Sequence, residues 1–386
     1  MSEIKVNSIK GVGASTAAIT VNNTDGTCTA SITNNLSNRN KVINGAMICS
    51  QRGTQVTGST ASGYKTVDRF RISHTSLGTF TFDQDTNAPN GFSNSLKLTC
   101  TTADASPAAS DQLVIQYRIE AQNLQDLAYG TSAAKKLVLS FYVKSNKTGN
   151  ASVNVLQSDN SSKMVGFQYT ISAANTWERK TISIPADTSG VINNDNGYGL
   201  QIEWFLNSGS NFTGGSHQAT YTAIDNTNRN VSNLGIGGST SDNFAITGVQ
   251  LEVDQTGSGV ATDFEHRSFA EELRLCYRYY YHTGGDSTDT TYYDDGGCLG
   301  MAESTTKAVC GVRHPVEMRS TPTVTLVDAV NSTGNVTQKG HTHGIPAVAN
   351  QSGRIGFQRV SASSSPTMQL NGDKPVSFGY IAEAEL

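Results

Sequence analysis

Between residues 43 and 265, apolar side chains return at every second position. Leu137, Leu139, Phe141 and Val143 alternate with Val138, Ser140, Tyr142 and Lys144, and Leu200, Ile202, Trp204 and Leu206 with Gln201, Glu203, Phe205 and Asn207. A period of two puts every other side chain on the same face, so each stretch predicts a strand with one face on a core. The beat recurs in Leu96, Leu98 and Cys100, in Leu113, Ile115, Tyr117 and Ile119, in Val153 and Val155, and in Ile182 and Ile184. Phe244 and Ile246 fall out of phase with Val249, Leu251 and Val253, and a β-bulge at Gly248 is the simplest way to absorb the slip. About eight to ten such strands predict a sandwich or jelly roll.

One segment changes period. Ser268 and Glu271 have capping-box spacing, and Phe269, Leu273, Tyr277 and Tyr280 then repeat every three or four residues, which predicts a helix with an apolar stripe to dock. Beyond a Thr/Asp/Gly-rich loop the two-residue beat resumes in Ala308, Cys310 and Val312, Val324 and Leu326, Ile355 and Phe357, and Val376, Phe378 and Tyr380. The first 63 residues hold no aromatic side chain, too little apolar area to fold alone. The expected architecture is all-β: an extended N-terminal arm at 1–42, a jelly-roll β-sandwich at 43–270, one short connecting helix and strand at 271–284, and a smaller C-terminal β domain at 285–386. No fixed period of about 20 to 50 residues is visible, which disfavours a solenoid or a long β-helix.

Composition sharpens this picture. Ser, Thr and Asn make up about 30% of the 386 residues and charged side chains only 16%. These small polar residues compete for the backbone hydrogen bonds of a helix, which excludes an all-α protein. With 28 basic and 32 acidic residues there is no basic stripe to neutralise phosphates, so nucleic acid is not an expected partner. The opening residues carry Glu3, Lys5 and Lys10 without an apolar block, and Leu137–Val143 is too short to cross a bilayer. The expectation is synthesis in the cytosol and no membrane insertion. Six well-separated cysteines, without a CxxC or a histidine at zinc spacing, read as small buried hydrophobes.

Particular residues then carry a resemblance. Asn44-Gly45-Ala46-Met47, Ser50-Gln51-Arg52-Gly53-Thr54, Tyr64 and Asp68-Arg69-Phe70 resemble the opening of a jelly-roll domain found in many bacteriophage tail-fibre and minor structural proteins. Ile246-Thr247-Gly248-Val249-Gln250-Leu251-Glu252-Val253, Ala261 to Arg267 and Glu272 to Tyr280 are similar to the way that domain ends. Arg313-His314-Pro315-Val316-Glu317-Met318-Arg319 with Thr321-Pro322-Thr323-Val324 resembles the β domain that often follows it. The resemblance implies a virion component, usually homotrimeric, whose jelly roll is akin to carbohydrate-binding modules. Its N-terminal arm would attach to a phage tail or adaptor protein, and host cell-surface polysaccharide would be its target. A purely structural adaptor, a capsid decoration fibre and a polysaccharide depolymerase are the competing readings.

Within these motifs Arg52, Asp68 and Arg69 are placed to pair across neighbouring strands, and Glu252 to pair with Arg267 and Glu265. Asn44, Gln51 and Gln250 complete a structural motif of mutually satisfied polar groups. Glycan binding needs exposed flat rings beside planar polar groups, which singles out Trp177, Tyr198, Tyr292 and Tyr293, with Asn193 to Asn196 as a rim. Trp204 is in phase with Leu200, Ile202 and Leu206 and reads as core. His341 and His343 would share one strand face and, across a trimer axis, offer imidazoles to a metal, although Gly340, Gly344 and Pro346 argue for a loop. No GxSxG, HExxH or phosphate-binding glycine loop occurs, so the expectation is a non-enzyme without a cofactor.

Overall fold

The computed structural model describes residues 6–10, 12, 18–21, 24, 28–30, 37–159, 162–283, 298–328, 332–338, 342–370 and 375–386. In the arm, β1 (Ser8–Ile9), β2 (Ile19–Val21) and β3 (Cys28–Ala30) make a small antiparallel sheet that leaves Val6, Ile9 and Val12 exposed. Residues 39–42, assigned to the arm from the sequence, belong to the sandwich instead. Lys41 N donates to Leu251 O, Asn40 Nδ2 to Val249 O at 3.2 Å, and Val42 is fully buried.

The sandwich runs through β4 (Gln55–Ser59), β5 (Gly63–Tyr64), β6 (Phe70–Thr75), β7 (Thr79–Asp85), β8 (Ser95–Thr102), β9 (Gln112–Glu120) and β10 (Leu137–Ser145). It continues through β11 (Gly149–Gln157), β12 (Lys163–Ile171), β13 (Glu178–Ile184), β14 (Tyr198–Ser208), β15 (Thr222–Ala223) and β16 (Asn243–Val253). One sheet has the order β13-β10-β16-β8-β7-β4 and the other β15-β12-β11-β14-β9-β6-β5, with antiparallel pairing throughout. The alternating residues face each other across the gap between the sheets. Trp204 is fully buried and meets Phe141 edge-on at 5.7 Å. The pairing of β10 with β16 slips between Ser140 and Tyr142, beside Gly248 at φ +60°. A side chain there would also strike the Phe92 and Tyr142 rings, so the bulge requires glycine twice over.

Helix α1 (Phe269–Tyr277) begins at Ser268, whose Oγ accepts from Glu271 N at 3.3 Å. The predicted apolar stripe docks only in part, with Tyr280 buried and Leu273 and Tyr277 half-buried. Phe269 is 58% exposed, whereas Glu272 and Cys276 are buried. Glu272 turns inward because its carboxylate accepts the Asn44 backbone N–H and pairs with Arg267 at 3.3 Å. Polar satisfaction, not apolar area, fixes the helix orientation.

The chain then enters β17 (Tyr280–His282), β18 (Cys298–Ser304), β19 (Lys307–Arg313), β20 (Thr323–Val327), β21 (Asn335–Gln338), β22 (Thr342–Asn350), β23 (Gly356–Ala362) and β24 (Pro375–Glu383). The path β24-β18-β19-β23-β22-β21 returns to β24 and closes a six-stranded barrel, while β17 and β20 pair with the far end of β24. Phe357, Phe378 and Tyr380 fill its interior. Ile355, read as inward-facing, is 61% exposed because β23 begins only at Gly356.

A cluster of arginines joins barrel to sandwich. Arg69, buried and held at φ +74°, pairs with Glu385, donates to Arg118 O at 2.9 Å and lies 3.4 Å from the Tyr279 ring centre. Arg52 stacks on Tyr280 at 3.6 Å and reaches Glu385 at 3.2 Å, Glu383 at 3.4 Å and Asp68 at 3.5 Å. Arg319 donates to Ala384 O and Glu385 O, and Arg118 and Tyr64 donate to Leu386 O. The sequence grouped Arg69 with Arg52 and Asp68, of which Arg52 and Asp68 do pair. The carboxylate that Arg69 finds instead lies 316 residues away, because its side chain runs into the junction.

Asp68 receives Gln51 through the backbone N–H at 3.2 Å and through Nε2 at 2.8 Å, yet burial still pushes its carboxyl up to about 6. The unfolded value is near 3.8, so from about pH 6 down to pH 4 the native state binds a proton that the unfolded chain does not. The Asp68 contribution to stability therefore rises as pH falls through 6. Asp68→Asn removes this dependence. Urea unfolding at about pH 4.5 and 7 is expected to show the wild type gaining about 2 kcal/mol on the variant at the lower pH. A difference independent of pH would contradict the assignment.

Candidate functional site

Strand register lays one row of side chains across the seven-stranded sheet. Gly166 on β12 faces Asn154 on β11, Asn154 faces Glu203 on β14, Glu203 faces Gln116 on β9, and Gln116 faces Arg71 on β6. The alternation that sends Val155, Ile202 and Ile115 into the core sends these polar residues to the opposite face. They satisfy one another in sequence. Arg71 Nη1 donates to Gln116 Oε1 at 2.6 Å, and Gln116 Nε2 and Gln201 Nε2 donate to Glu203 Oε1 at 2.9 and 2.7 Å.

Residues 209–236 form a strap over the middle of this row. Gly209 N bonds Asp111 O, Ser232 N bonds Ser152 Oγ, and Ile236 N bonds Leu206 O. From the strap, Arg229 donates to both Glu203 oxygens at 2.6 and 3.1 Å, and its guanidinium lies 5.2 Å from the Phe205 ring centre and 5.9 Å from that of Phe212. Glu203 is fully buried and takes four hydrogen bonds, three on Oε1 and one on Oε2, two of them from Arg229, so its carboxylate ties the strap to the sheet.

At the β5 end the same face is closed by the junction. Tyr198, a sequence candidate for sugar stacking, lies with its ring 4.7 Å from the Arg118 guanidinium. Asn196, from its proposed rim, exchanges hydrogen bonds with Arg319 at 2.7 and 2.9 Å, and Asn193 bonds Asp159. Asn196 and, through Arg118, Tyr198 thus lie at the junction of barrel and sandwich, whereas the Asn193 contact stays within the sandwich.

At the β12 end the sheet is open. A cleft of about 570 Å³ is lined by Gly166, Phe167 and Gln168 of β12, Ser183 and Pro185 at the end of β13, Lys136, and His217 and Ala219 of the strap. Its floor is specified by hydrogen bonds. Asn154 Nδ2 donates to Arg229 O at 2.7 Å, which turns Oδ1 toward Gly166. Ser232 Oγ donates its one proton to Gln168 Oε1 at 2.7 Å and so accepts from His217 Nε2 at 3.2 Å. Burial lowers the pKa of His217, which keeps the ring neutral with its lone pair on Nδ1. A methyl group on Gly166 would sit 2.8 Å from Asn154 Oδ1 and 3.5 Å from His217 Nδ1, two acceptors without a hydrogen-bond partner among the described residues. Half-buried Phe167 supplies the apolar surface.

The other candidates lie elsewhere. Trp177 precedes β13 in the opposite sheet, donating Nε1 to Asn87 Oδ1 at 3.0 Å, so it does not meet Tyr198. Tyr292, Tyr293 and His341 lie outside the described residues, and of His343 in β22 only the backbone is described. Among the described residues no three His, Cys, Asp or Glu side chains gather as a metal requires, and no helix is long and apolar enough to cross a membrane. Gln250 Nε2 bonds Glu252 at 3.0 Å, and Arg267 reaches Glu265 at 3.7 Å and Glu272 at 3.3 Å. Glu252 does not pair with Arg267 as expected. It accepts from Thr262 and takes Arg39 at 3.4 Å, because residues 39–42 run beside β16. His217, Asn154 and Gly166 drew no notice in the sequence, since their only signal is a strand register that a single chain does not reveal.

No protein-family model and no curated protein matches the chain. Among solved structures it is similar to the enzymatically active domain of bacteriophage CBA120 tailspike protein 4, at 14% identity and a TM-score of 0.31 over 56% of this chain and 21% of that one. It is also similar to a CBM4 module, at 13% identity and a TM-score of 0.29 over 55% of this chain and 98% of that one. A third likeness is the C-terminal family 22 carbohydrate binding module of Clostridium thermocellum Xyn10B, at 10%, 0.27, 53% and 96% respectively. The chain thus spans about a fifth of the tailspike's length. Scores this low carry no argument, and the all-β class rests on the sheets themselves.

If Glu203 anchors the strap, Glu203→Gln leaves the Arg229 guanidinium without its carboxylate. Urea unfolding should then show a loss of about 3 kcal/mol, with faster hydrogen exchange in residues 209–236. Unchanged stability together with unchanged exchange would contradict the anchoring role.

Proposed function

We propose that this chain is a non-catalytic phage virion appendage, a tail fibre or similar structure, that adsorbs to host-surface polysaccharide through the β12 cleft. The observation that carries the glycan reading is the contrast along one sheet face. Its middle and its β5 end are sealed by the strap and the junction, while its β12 end keeps an open cleft with the half-buried Phe167 ring and the polar side chains of Lys136, Gln168 and Ser183. A sugar ring offers an apolar face to stack on Phe167 and hydroxyl oxygens that can accept from Gln168 Nε2 and Ser183 Oγ at the rim.

The virion reading rests on the resemblance of the motifs at 44–70, 246–280 and 313–324. Assembly as a homotrimer fits the arm, whose Val6, Ile9 and Val12 side chains remain exposed in one copy and would be buried between several or against a tail or adaptor protein. Several weak glycan sites held together would then bind a surface tightly. Glu203, buried under the strap and committed to four hydrogen bonds, is out of reach of a substrate, which favours binding over hydrolysis on this face.

Two measurements test the reading together. Fluorescently labelled full-length protein should decorate susceptible cells without releasing soluble oligosaccharide, and light scattering should give three times 41.0 kDa, reduced to a single copy when the chain starts at residue 37. Particle binding without cell binding would favour a structural adaptor, and oligosaccharide release would favour a depolymerase. A monomer in both forms would overturn the trimer.

A further inference from the structure

Asparagine precedes glycine at residues 44, 90, 196 and 371. Such a pair carries chemistry of its own. The glycine nitrogen can attack the amide carbon of the asparagine side chain through a five-membered ring, and the missing Cβ leaves that approach unhindered. What holds the amide and the nitrogen decides whether the attack occurs. Asn44 is fully buried, its Nδ2 donating to Cys49 O at 2.8 Å and Asp68 O at 3.0 Å and its Oδ1 accepting from Cys49 N at 2.9 Å. Asn196 Nδ2 donates to Arg319 O at 2.7 Å and Gly197 N to Asp195 Oδ1 at 2.8 Å, so amide and nucleophile are both committed. Asn371 and Gly372 lie outside the described residues.

Asn90 differs on each count. It is exposed, and its side chain makes no hydrogen bond among the described residues. Phe92 N closes the turn on Pro89 O at 3.0 Å, which leaves the Gly91 N–H without a bond among the described residues. Gly91 itself is exposed at φ +91°, with nothing within 4 Å of the place a Cβ would take.

We propose that Asn90 is a site of self-modification, at which the Gly91 nitrogen displaces ammonia from the Asn90 side chain. The bond from Gly91 N to Asn90 Cγ forms, the Cγ–Nδ2 bond breaks, and the Gly91 amide proton leaves with the ammonia. Water then opens the cyclic imide at either carbonyl. The product is aspartate or, with the β-methylene drawn into the main chain, isoaspartate. The turn has a neighbour that registers the change. Phe92 packs on Tyr142 at 5.5 Å, Phe264 at 5.0 Å and His266 at 5.2 Å, and its ring covers Gly248 so closely that a Cβ there would come within 2.8 Å of it. A main chain lengthened at residue 90 shifts this ring from the cluster.

Full-length protein kept in warm, mildly alkaline buffer, sampled over days and digested for peptide mass spectrometry, tests this. The peptide with Asn90 should convert about ten-fold faster or more than those with Asn44 and Asn196, whose native hydrogen bonds must first open. Aged wild type should melt about 2 °C below fresh protein, while aged Asn90→Gln, in which the same ring does not form, keeps its melting temperature. An Asn90 peptide that stays unmodified, or one that converts no faster than those of Asn44 and Asn196, overturns the assignment. An equal loss of melting temperature in Asn90→Gln overturns the link to Phe92.

Discussion

The buried guanidinium of Arg69 is the constraint on which the arrangement of this molecule depends. A charge taken out of water costs several kcal/mol unless it is paired, and among the described residues Arg69 finds its carboxylate on Glu385, just past the barrel's last strand, although its Nε is left without a hydrogen-bond partner there. The sandwich therefore completes its own polar interior only when the barrel is docked. Arg52, Arg118 and Arg319 extend the same logic, each reaching carboxylates or carbonyls of residues 383–386. The left-handed backbone of Arg69, unfavourable for a side chain of this size, is held in place by these bonds.

This docking decides which part of the sandwich stays accessible. The outward face of the seven-stranded sheet carries the polar row from Arg71 to Asn154 beside an apolar patch, Val114 and Phe205, that Phe212 of the strap covers, and the polar row must be solvated, self-paired or covered. Residues 384–386 cover it at one end, and Arg229 covers it in the middle by neutralising Glu203. What remains is the outermost part, where Gly166 withholds a side chain and the Ser232 hydroxyl orients His217. The cleft is thus the remainder of a face otherwise committed to holding the protein together.

Much of the fold was legible in the sequence because strand burial has a period of two. Leu137 to Val143 and Leu200 to Leu206 announce their inward faces, and the phase slip at Gly248 announces its bulge. What escaped depends on pairings between distant residues. Arg69 with Glu385, Glu252 with Arg39 and Glu272 with the Asn44 amide each join segments more than 200 positions apart, which local pattern does not encode. The described aromatic candidates do not gather: Tyr198 serves the junction and Trp177 lies in the other sheet, while the proposed cleft is lined by Gly166, Phe167 and His217.

The central claim is that the open end of the seven-stranded sheet is the surface that meets the host. Hydrogen exchange followed by mass spectrometry, on the full chain with and without soluble host polysaccharide, tests it most directly. The account predicts slowed exchange confined to β12 at 163–171, to 183–185 and to the strap at 216–219. Protection concentrated on the barrel strands at 298–313 or around Trp177, with β12 unchanged, would contradict it.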